Sequence, residues 1–195
     1  MTALPPEVYL IGCGGDVDVQ GEASERSMGF KAWNLLRMAR LSLPVPAAFV
    51  IGTRYCADRA ARAARAGRAG AELWRAGLRL LERSTGQALG DVRHPLLLSV
   101  RSGAPVSMPG MMDTLLNIGL CDATVGGLLR QTGNPRLVWD AYRRLVATYG
   151  EVVAGLPARL FDDAATALFG GRDERELDFA DLRSLTQRFL GRDIL

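Results

Sequence analysis

Lysine is almost absent from this chain. Of its 24 basic side chains, 23 are arginine, and the one lysine is Lys31. A bias of this kind most often reflects codon usage. Yet lysine is a compact point charge with rotatable donors, so a position that keeps it against the drift of the chain hints that a planar guanidinium does not fit there. Histidine also occurs once, as His94 within Asp91-Val92-Arg93-His94-Pro95. That stretch reads as a turn ahead of a strand, with His94 structural or exposed. The three cysteines, Cys13, Cys56 and Cys121, are odd in number, far apart and without metal-ligand spacing. They read as reduced structural thiols, with no catalytic use. No apolar run approaches the roughly 20 residues of a membrane span. The opening residues Met1-Thr2-Ala3-Leu4-Pro5-Pro6 lack the basic start and apolar stretch of a secretory signal, so a cytoplasmic location is expected.

What is present is ordinary globular material: 195 residues, 48% hydrophobic and 23% charged, with a formal charge of +3. That suits one domain or one and a half, with ample core. Val8 to Gly12 reads as a strand, succeeded by a turn over residues 12–16. A helix is expected from Gly29, with Leu35, Met38 and Ala39 on its apolar side, ending before Pro44. A second strand covers Ala48 to Ile51, and Thr53 is placed to cap the next helix. Arg54 to Arg83, rich in Ala, Leu and Arg, reads as two helices broken near Gly70. Leu96 to Val100 reads as a buried strand. After Leu120 only helices are expected. Asp122 is placed to cap one to about Arg130. Asn134, with Pro135 at the first helical position, caps a longer one whose apolar stripe is Leu137, Tyr142, Leu145, Val146, Tyr149 and Val153. Two more helices are expected over Leu160 to Phe169 and Phe179 to Leu190. The expected division is therefore an α/β part over 1–120 and a helical part over 121–195.

The most informative stretch runs from Leu98 through Arg101, Ser102, Gly103, Ala104, Pro105, Val106, Ser107, Met108, Pro109 and Gly110 to Asp113 and Thr114. An apolar strand delivers one arginine into a loop of small residues, where backbone N–H groups and Ser hydroxyls can meet phosphate oxygens. The guanidinium adds a bidentate, always charged fork. Strand ends that open into glycine-containing loops are where open α/β sheets put ligand contacts. Met108, Met111 and Met112 read as core filler, and Asp113 as the N-cap of a turn through Thr114 and Leu115. The arginines Arg59, Arg62, Arg65 and Arg68 recur every third residue. They could form an anion-binding or nucleic-acid-binding ridge, but without aromatic interleaving they read first as a solvated helix face.

The stretch closely resembles the nucleotide-binding domain of the pyruvate, phosphate dikinase family, in the run S-V-R-S-G-A-x-x-S-M-P-G-M-M-D-T and the adjoining L-N-L-G-L, here Leu116-Asn117-Ile118-Gly119-Leu120. The family's G-G-K-G-x-N-L motif matches Gly29-Phe30-Lys31-Ala32-Trp33-Asn34-Leu35, with Phe30 and Ala32 in place of two glycines. What the resemblance implies is an α+β, partial ATP-grasp-like domain: one α/β lobe with a mixed sheet and flanking helices, then a helical insertion. It implies Arg101 as the catalytic cation, and Lys31, Arg101, Ser102, Gly103, Ser107, Met108 and Gly110 as nucleotide-binding residues. ATP is the implied cofactor, with Mg²⁺ held by carboxylates of a second lobe later in the complete enzyme, where the phosphohistidine and pyruvate domains also lie. His94 lacks the context of the family's carrier histidine. The complete enzyme would convert ATP, phosphate and pyruvate to AMP, pyrophosphate and phosphoenolpyruvate, and this chain alone would not turn over. The expected partners are the remaining dikinase domains or a separate subunit carrying them, with no membrane, and with self-association left open. Two alternatives stand beside this one: a free-standing, non-catalytic nucleotide-binding module, and an anion or nucleic-acid binder through the Arg-rich helix.

Overall fold

The computed structural model describes residues 8–13, 22–57, 68–101, 114–191 and 194, and its contacts divide these into two units. The first holds the described residues up to Gly86. The second holds Gln87–Arg101 and the described residues from 114 onward. Residues 98–101 and 114–118, expected in the α/β part, thus group with the helices. Where a single mixed sheet is expected, the described residues form two separate antiparallel pairs. The class is α+β, built from helices and small sheets.

In the first unit, β1 (Val8–Ile11) pairs antiparallel with β2 (Ala48–Ile51), Val8 lying opposite Ile51 and Ile11 opposite Ala48. Both strands are apolar throughout because helices cover both faces of the pair. Alternation along β1 sends Val8 and Leu10 to one side, against Leu73 and Ala76 of α4 (Arg68–Thr85). It sends Tyr9 and Ile11 to the other, against Met28 of α1 (Glu25–Met28) and Ala32, Trp33, Leu35, Leu36 and Ala39 of α2 (Phe30–Arg40). Met38, expected on the buried side of α2, is exposed, and Trp33 takes its place. A short α3 (Arg54–Ala57) comes after β2. The hydroxyl of Thr53, just ahead of it, donates to the carbonyl of Arg26 at 2.6 Å, tying the end of β2 to α1.

A helix break is expected near Gly70; α4 is described from Arg68 to Thr85 and passes through Gly70 itself, while residues 58–67 lie outside the described residues. Gly77 within it is a packing device, since a Cβ there would stand 2.5 Å from the Phe49 ring. Glycine lowers helix propensity by about 1 kcal/mol, and close approach of α4 to β2 outweighs it.

The second unit is organised by α6 (Pro135–Val152), with α5 (Asp122–Thr132), α7 (Arg159–Phe169) and α8 (Phe179–Phe189) packed with it around one core. Asn134 caps α6 as expected, its Oδ1 accepting from the Leu137 amide at 3.0 Å, with Pro135 at the start. The buried stripe differs from the expected one. It is Val138, Tyr142, Val146 and Gly150, while Leu137, Tyr149 and Val153 face solvent. At Gly150 the helix meets Phe161 so closely that a Cβ would come within 2.3 Å of the ring tip, and that ring packs edge-on to Phe189. Cys121, rather than Asp122, is the N-cap of α5; its amide donates to the Thr124 hydroxyl at 2.9 Å. Asp122 instead accepts from the Tyr142 hydroxyl at 3.2 Å. Burial first, and the Asp122 charge second, push the Tyr142 phenol up to about 12.

Where a turn is expected at Thr114 and Leu115, a strand is found: β4 (Thr114–Ile118) pairs antiparallel with β3 (Leu98–Arg101). Thr114 and Leu115 are therefore strand, not the capped turn expected after Asp113, which itself lies outside the described residues. Nor is β3 a buried strand, since Ser99, Val100 and Arg101 are exposed, and of the run from Leu96 to Val100 only Leu96 is fully buried.

This packing generates two testable outcomes. Gly150→Ala forces Phe161 off its seat on Phe189, and chemical denaturation should report a loss of about 1–3 kcal/mol, the usual cost of overpacking. Because folded Tyr142 holds its proton above the ordinary value of 10.0, both states are protonated below pH 10 and its contribution is intact there. Between pH 10 and 12 the unfolded chain ionises first, so stability should fall across that window more steeply in the parent than in Tyr142→Phe. Urea melts at a series of pH values read the difference.

Candidate functional site

The first candidate cation stands at a helix N-terminus. Ser24 and Ser27 cap α1 reciprocally, the Ser27 amide donating to Ser24 Oγ at 3.1 Å and the Ser24 amide to Ser27 Oγ at 3.0 Å. Gly29, buried and at φ +83°, then turns the chain into α2. No side chain caps α2, so its first-turn amides keep the partial positive charge of a helix start. Lys31 is the second residue of this helix and is exposed, with no hydrogen bond or ion pair to its ammonium among the described residues. Of the two residues replacing family glycines, Ala32 turns into the core against Tyr9, Ile11 and Met28, and Phe30 is exposed beside Lys31. The positive φ needed at this corner is supplied by Gly29, ahead of both.

The second candidate cation, Arg101, ends β3 in the second unit and is exposed, with Thr114 of β4 as its cross-strand partner. Ser102, Gly103, Ser107, Met108 and Gly110, the remaining residues expected to bind nucleotide, lie outside the described residues. So do Arg59, Arg62 and Arg65 of the Arg-rich tract. Lys31 and Arg101 thus belong to different units, each standing at the end of an element and exposed to solvent.

Other arginines of the second unit are committed elsewhere. Arg143, buried within the unit, donates to both carboxylate oxygens of Glu174, at 3.0 and 2.9 Å, and to Asp140 Oδ1 at 2.9 Å. Asp140 also takes Arg144, at 2.9 Å. Arg136 donates to the carbonyls of Leu177, Glu174 and Arg175, holding the 3₁₀ turn Glu174–Glu176 against α6. A surface depression lined by Arg136, Asp140, Arg144, Asp173, Glu174 and Arg175 is therefore internally neutralised. A second, lined by Val92, Arg93, Asp122, Ala123, Gly126 and Arg130, has Arg130 bonded to the Val92 carbonyl at 2.9 Å. Buried guanidinium groups need such partners, and this network braces loops. Sequence reasoning misses it; the local signals are the spacings of three and four from Asp140 to Arg143 and Arg144 on one helix face.

His94 is exposed, as expected. Its amide and that of Arg93 donate to Asp91 Oδ1, both at 2.7 Å, and these two bonds, that from His94 first, hold the Asp91 carboxyl below its ordinary value. Its Nδ1 lies 3.5 Å from Gln131 Nε2. Cys13 and Cys121 are free thiols. Among the described residues no group of three or more His, Cys, Asp or Glu side chains could hold a metal ion, and no helix is long and apolar enough to cross a membrane.

No family model matches the chain. Curated proteins do. Over 186 residues, 93% of its length, the chain is 38% identical to the pyruvate, phosphate dikinase of Rhizobium meliloti (strain 1021), of which it covers 20%. It is 43% identical over 168 residues to pyruvate, phosphate dikinase 2 of Oryza sativa subsp. japonica, covering 83% of this chain and 18% of that protein. To the chloroplastic pyruvate, phosphate dikinase of Flaveria pringlei it is 36% identical over 193 residues, 97% of this chain and 20% of that protein. With similarity at this level along most of its length, the chain belongs to the pyruvate, phosphate dikinase family, spanning about a fifth of the length of the curated relatives it matches.

Proposed function

We propose that this chain is the opening part of a dikinase nucleotide-binding domain and contacts the polyphosphate of ATP through Lys31 and Arg101. The observation that carries the reading is the state of these two cations within a family-matched sequence. One stands in the first turn of an uncapped helix, the other at a strand end beside a threonine, and neither is paired with a carboxylate among the described residues. Arg143, Arg144 and Arg172 pair with carboxylates; exposed positive charge without such a partner is what a polyphosphate needs.

In the complete enzyme the reaction would be that of the family, from ATP, phosphate and pyruvate to AMP, pyrophosphate and phosphoenolpyruvate. Phosphoryl transfer spreads negative charge over nonbridging oxygens, and fixed cations and aligned donors stabilise it. Arg101 is assigned that role, with Ser102, Gly103, Ser107, Met108 and Gly110 completing the phosphate contacts. Lys31 and the α2 amides would anchor the ground-state triphosphate. The architecture proposed is one ATP-grasp lobe, over 1–120, with a helical insertion over 121–195. As the family resemblance implies, Mg²⁺ would reach this part of the protein on the nucleotide, with its protein ligands supplied by the remaining domains. By the same reasoning the isolated chain binds Mg·ATP weakly and does not turn over pyruvate. A cytoplasmic enzyme is the proposed setting.

Calorimetry of the 195-residue chain with Mg·ATP tests the reading. Arg101→Ala and Lys31→Ala should each weaken binding by about tenfold or more, the usual value of a charge-assisted hydrogen bond. Binding that is tight and indifferent to both substitutions overturns the assignment.

A further inference from the structure

The pairing of β3 with β4 is irregular at one place. Leu98 stands opposite Ile118, but Val100 stands opposite Leu115 and Arg101 opposite Thr114. Between the first two pairs β3 advances by two residues and β4 by three, so Leu116 and Asn117 together face Ser99. This is a β-bulge on β4. Asn117 carries its backbone signature, a φ of +60°, one of two such non-glycine residues among those described. Asparagine tolerates the left-handed region better than most residues. Its side chain is used as well: Nδ2 donates to the carbonyl of Ala141 on α6 at 3.4 Å, across 24 residues of sequence.

The extra residue decides what lies beside Arg101. Continued without it, the register of Leu98 with Ile118 would set Val100 opposite Leu116 and Arg101 opposite Leu115. Since side chains alternate between faces along a strand, a shift of one residue transfers a side chain to the other face. With the bulge, Leu115 joins Val100, and the face of Arg101 receives the small, hydroxyl-bearing Thr114. A guanidinium beside leucine would be partly covered by apolar bulk. Beside threonine it stays open, with a second hydrogen-bonding group next to it.

We infer that Asn117 is a positioning residue for Arg101. Its left-handed backbone creates the bulge that places Thr114 across from the arginine, and its amide anchors that strand to α6. The consequence for ligand binding rests on the reading of Arg101 as a phosphate contact; the consequence for strand pairing does not. Bulges are over-represented next to functional sites, where they re-aim a side chain, and here the arginine lies two residues beyond the irregularity at Ser99.

The test uses the 195-residue chain and four variants, Arg101→Ala, Asn117→Gly, Asn117→Val and the double variant Asn117→Val with Arg101→Ala. Cross-strand NMR contacts of Arg101 are read without ligand, and Mg·ATP affinity by calorimetry. Asn117→Gly keeps the left-handed φ, so it should retain the Arg101 to Thr114 contact and bind within about threefold of the parent, the loss of one weak hydrogen bond. Asn117→Val, β-branched and averse to that φ, should exchange Thr114 for Leu115 beside Arg101 and weaken binding as much as Arg101→Ala does. Adding it to Arg101→Ala should then cost nothing further. Should Asn117→Val lose its helical far-UV signal, Asn117→Ala replaces it with less strain. An Asn117→Val chain that keeps Thr114 opposite Arg101, or losses that add in the double variant, overturn the positioning role. If Arg101→Ala alone leaves affinity unchanged, the phosphate reading fails and takes the ligand consequence with it, while the NMR contacts still decide the strand register.

Discussion

The second unit depends on one helix face, the line Val138, Tyr142, Val146 and Gly150 along α6. Against it lie α5, α7 and α8, which share one core with that stripe, and β4 packs on the same helix. Gly150 sets how near α7 can come, through Phe161, and Tyr142 reaches beyond the core to hold Asp122 at the start of α5. On the same helix the Ala141 carbonyl receives Asn117, which fixes the strand facing Arg101. The cation proposed to meet phosphate is thus supported by an apolar core several residues away. A rigid scaffold under an exposed charge is how a protein keeps a charged group solvated and yet in place.

The arginine content of the chain sharpens this contrast. A guanidinium buried in a protein must be matched by carboxylates or carbonyls, or it costs several kcal/mol. Buried Arg143, with Glu174 and Asp140, obeys that rule, and the exposed Arg136 and Arg130, bonded to three carbonyls and to Val92, act as braces beside it. Charge that remains open at the ends of elements is a different use of the same chemistry, and Lys31 and Arg101 are of that kind.

Much of the fold is legible where the signal is local. The strands at Val8–Ile11 and Ala48–Ile51, the Asn134-Pro135 start of α6 and the two last helices sit where propensity and capping put them. The departures share a cause. Glycine disfavours helix, so Gly70 reads as a break, but long-range packing on the β1–β2 pair sustains α4 through it. The α6 stripe lies off its expected line because Leu137, Tyr149 and Val153 are as apolar as Val138 and Val146; only the neighbours decide which of them is covered. Strand β4 is invisible in sequence because Thr114 to Ile118 has no partner until β3 lies beside it. Of the proposed site, Lys31 and Arg101 are drawn from the family motifs, whereas nothing in the L-N-L-G-L run marks Asn117 as the place where the strand register shifts.

The amino-acid sequence by itself determined the family, the charges offered to solvent and the starts of several helices, because motif identity and i to i+3 capping are written in neighbouring residues. Tertiary structure alone decided which face of α6 is buried, that residues 114–118 form a strand, and that Thr114 instead of Leu115 accompanies Arg101. Burial and strand register are energies of contact between segments far apart in the chain, and a single extra residue in one strand is enough to reverse them.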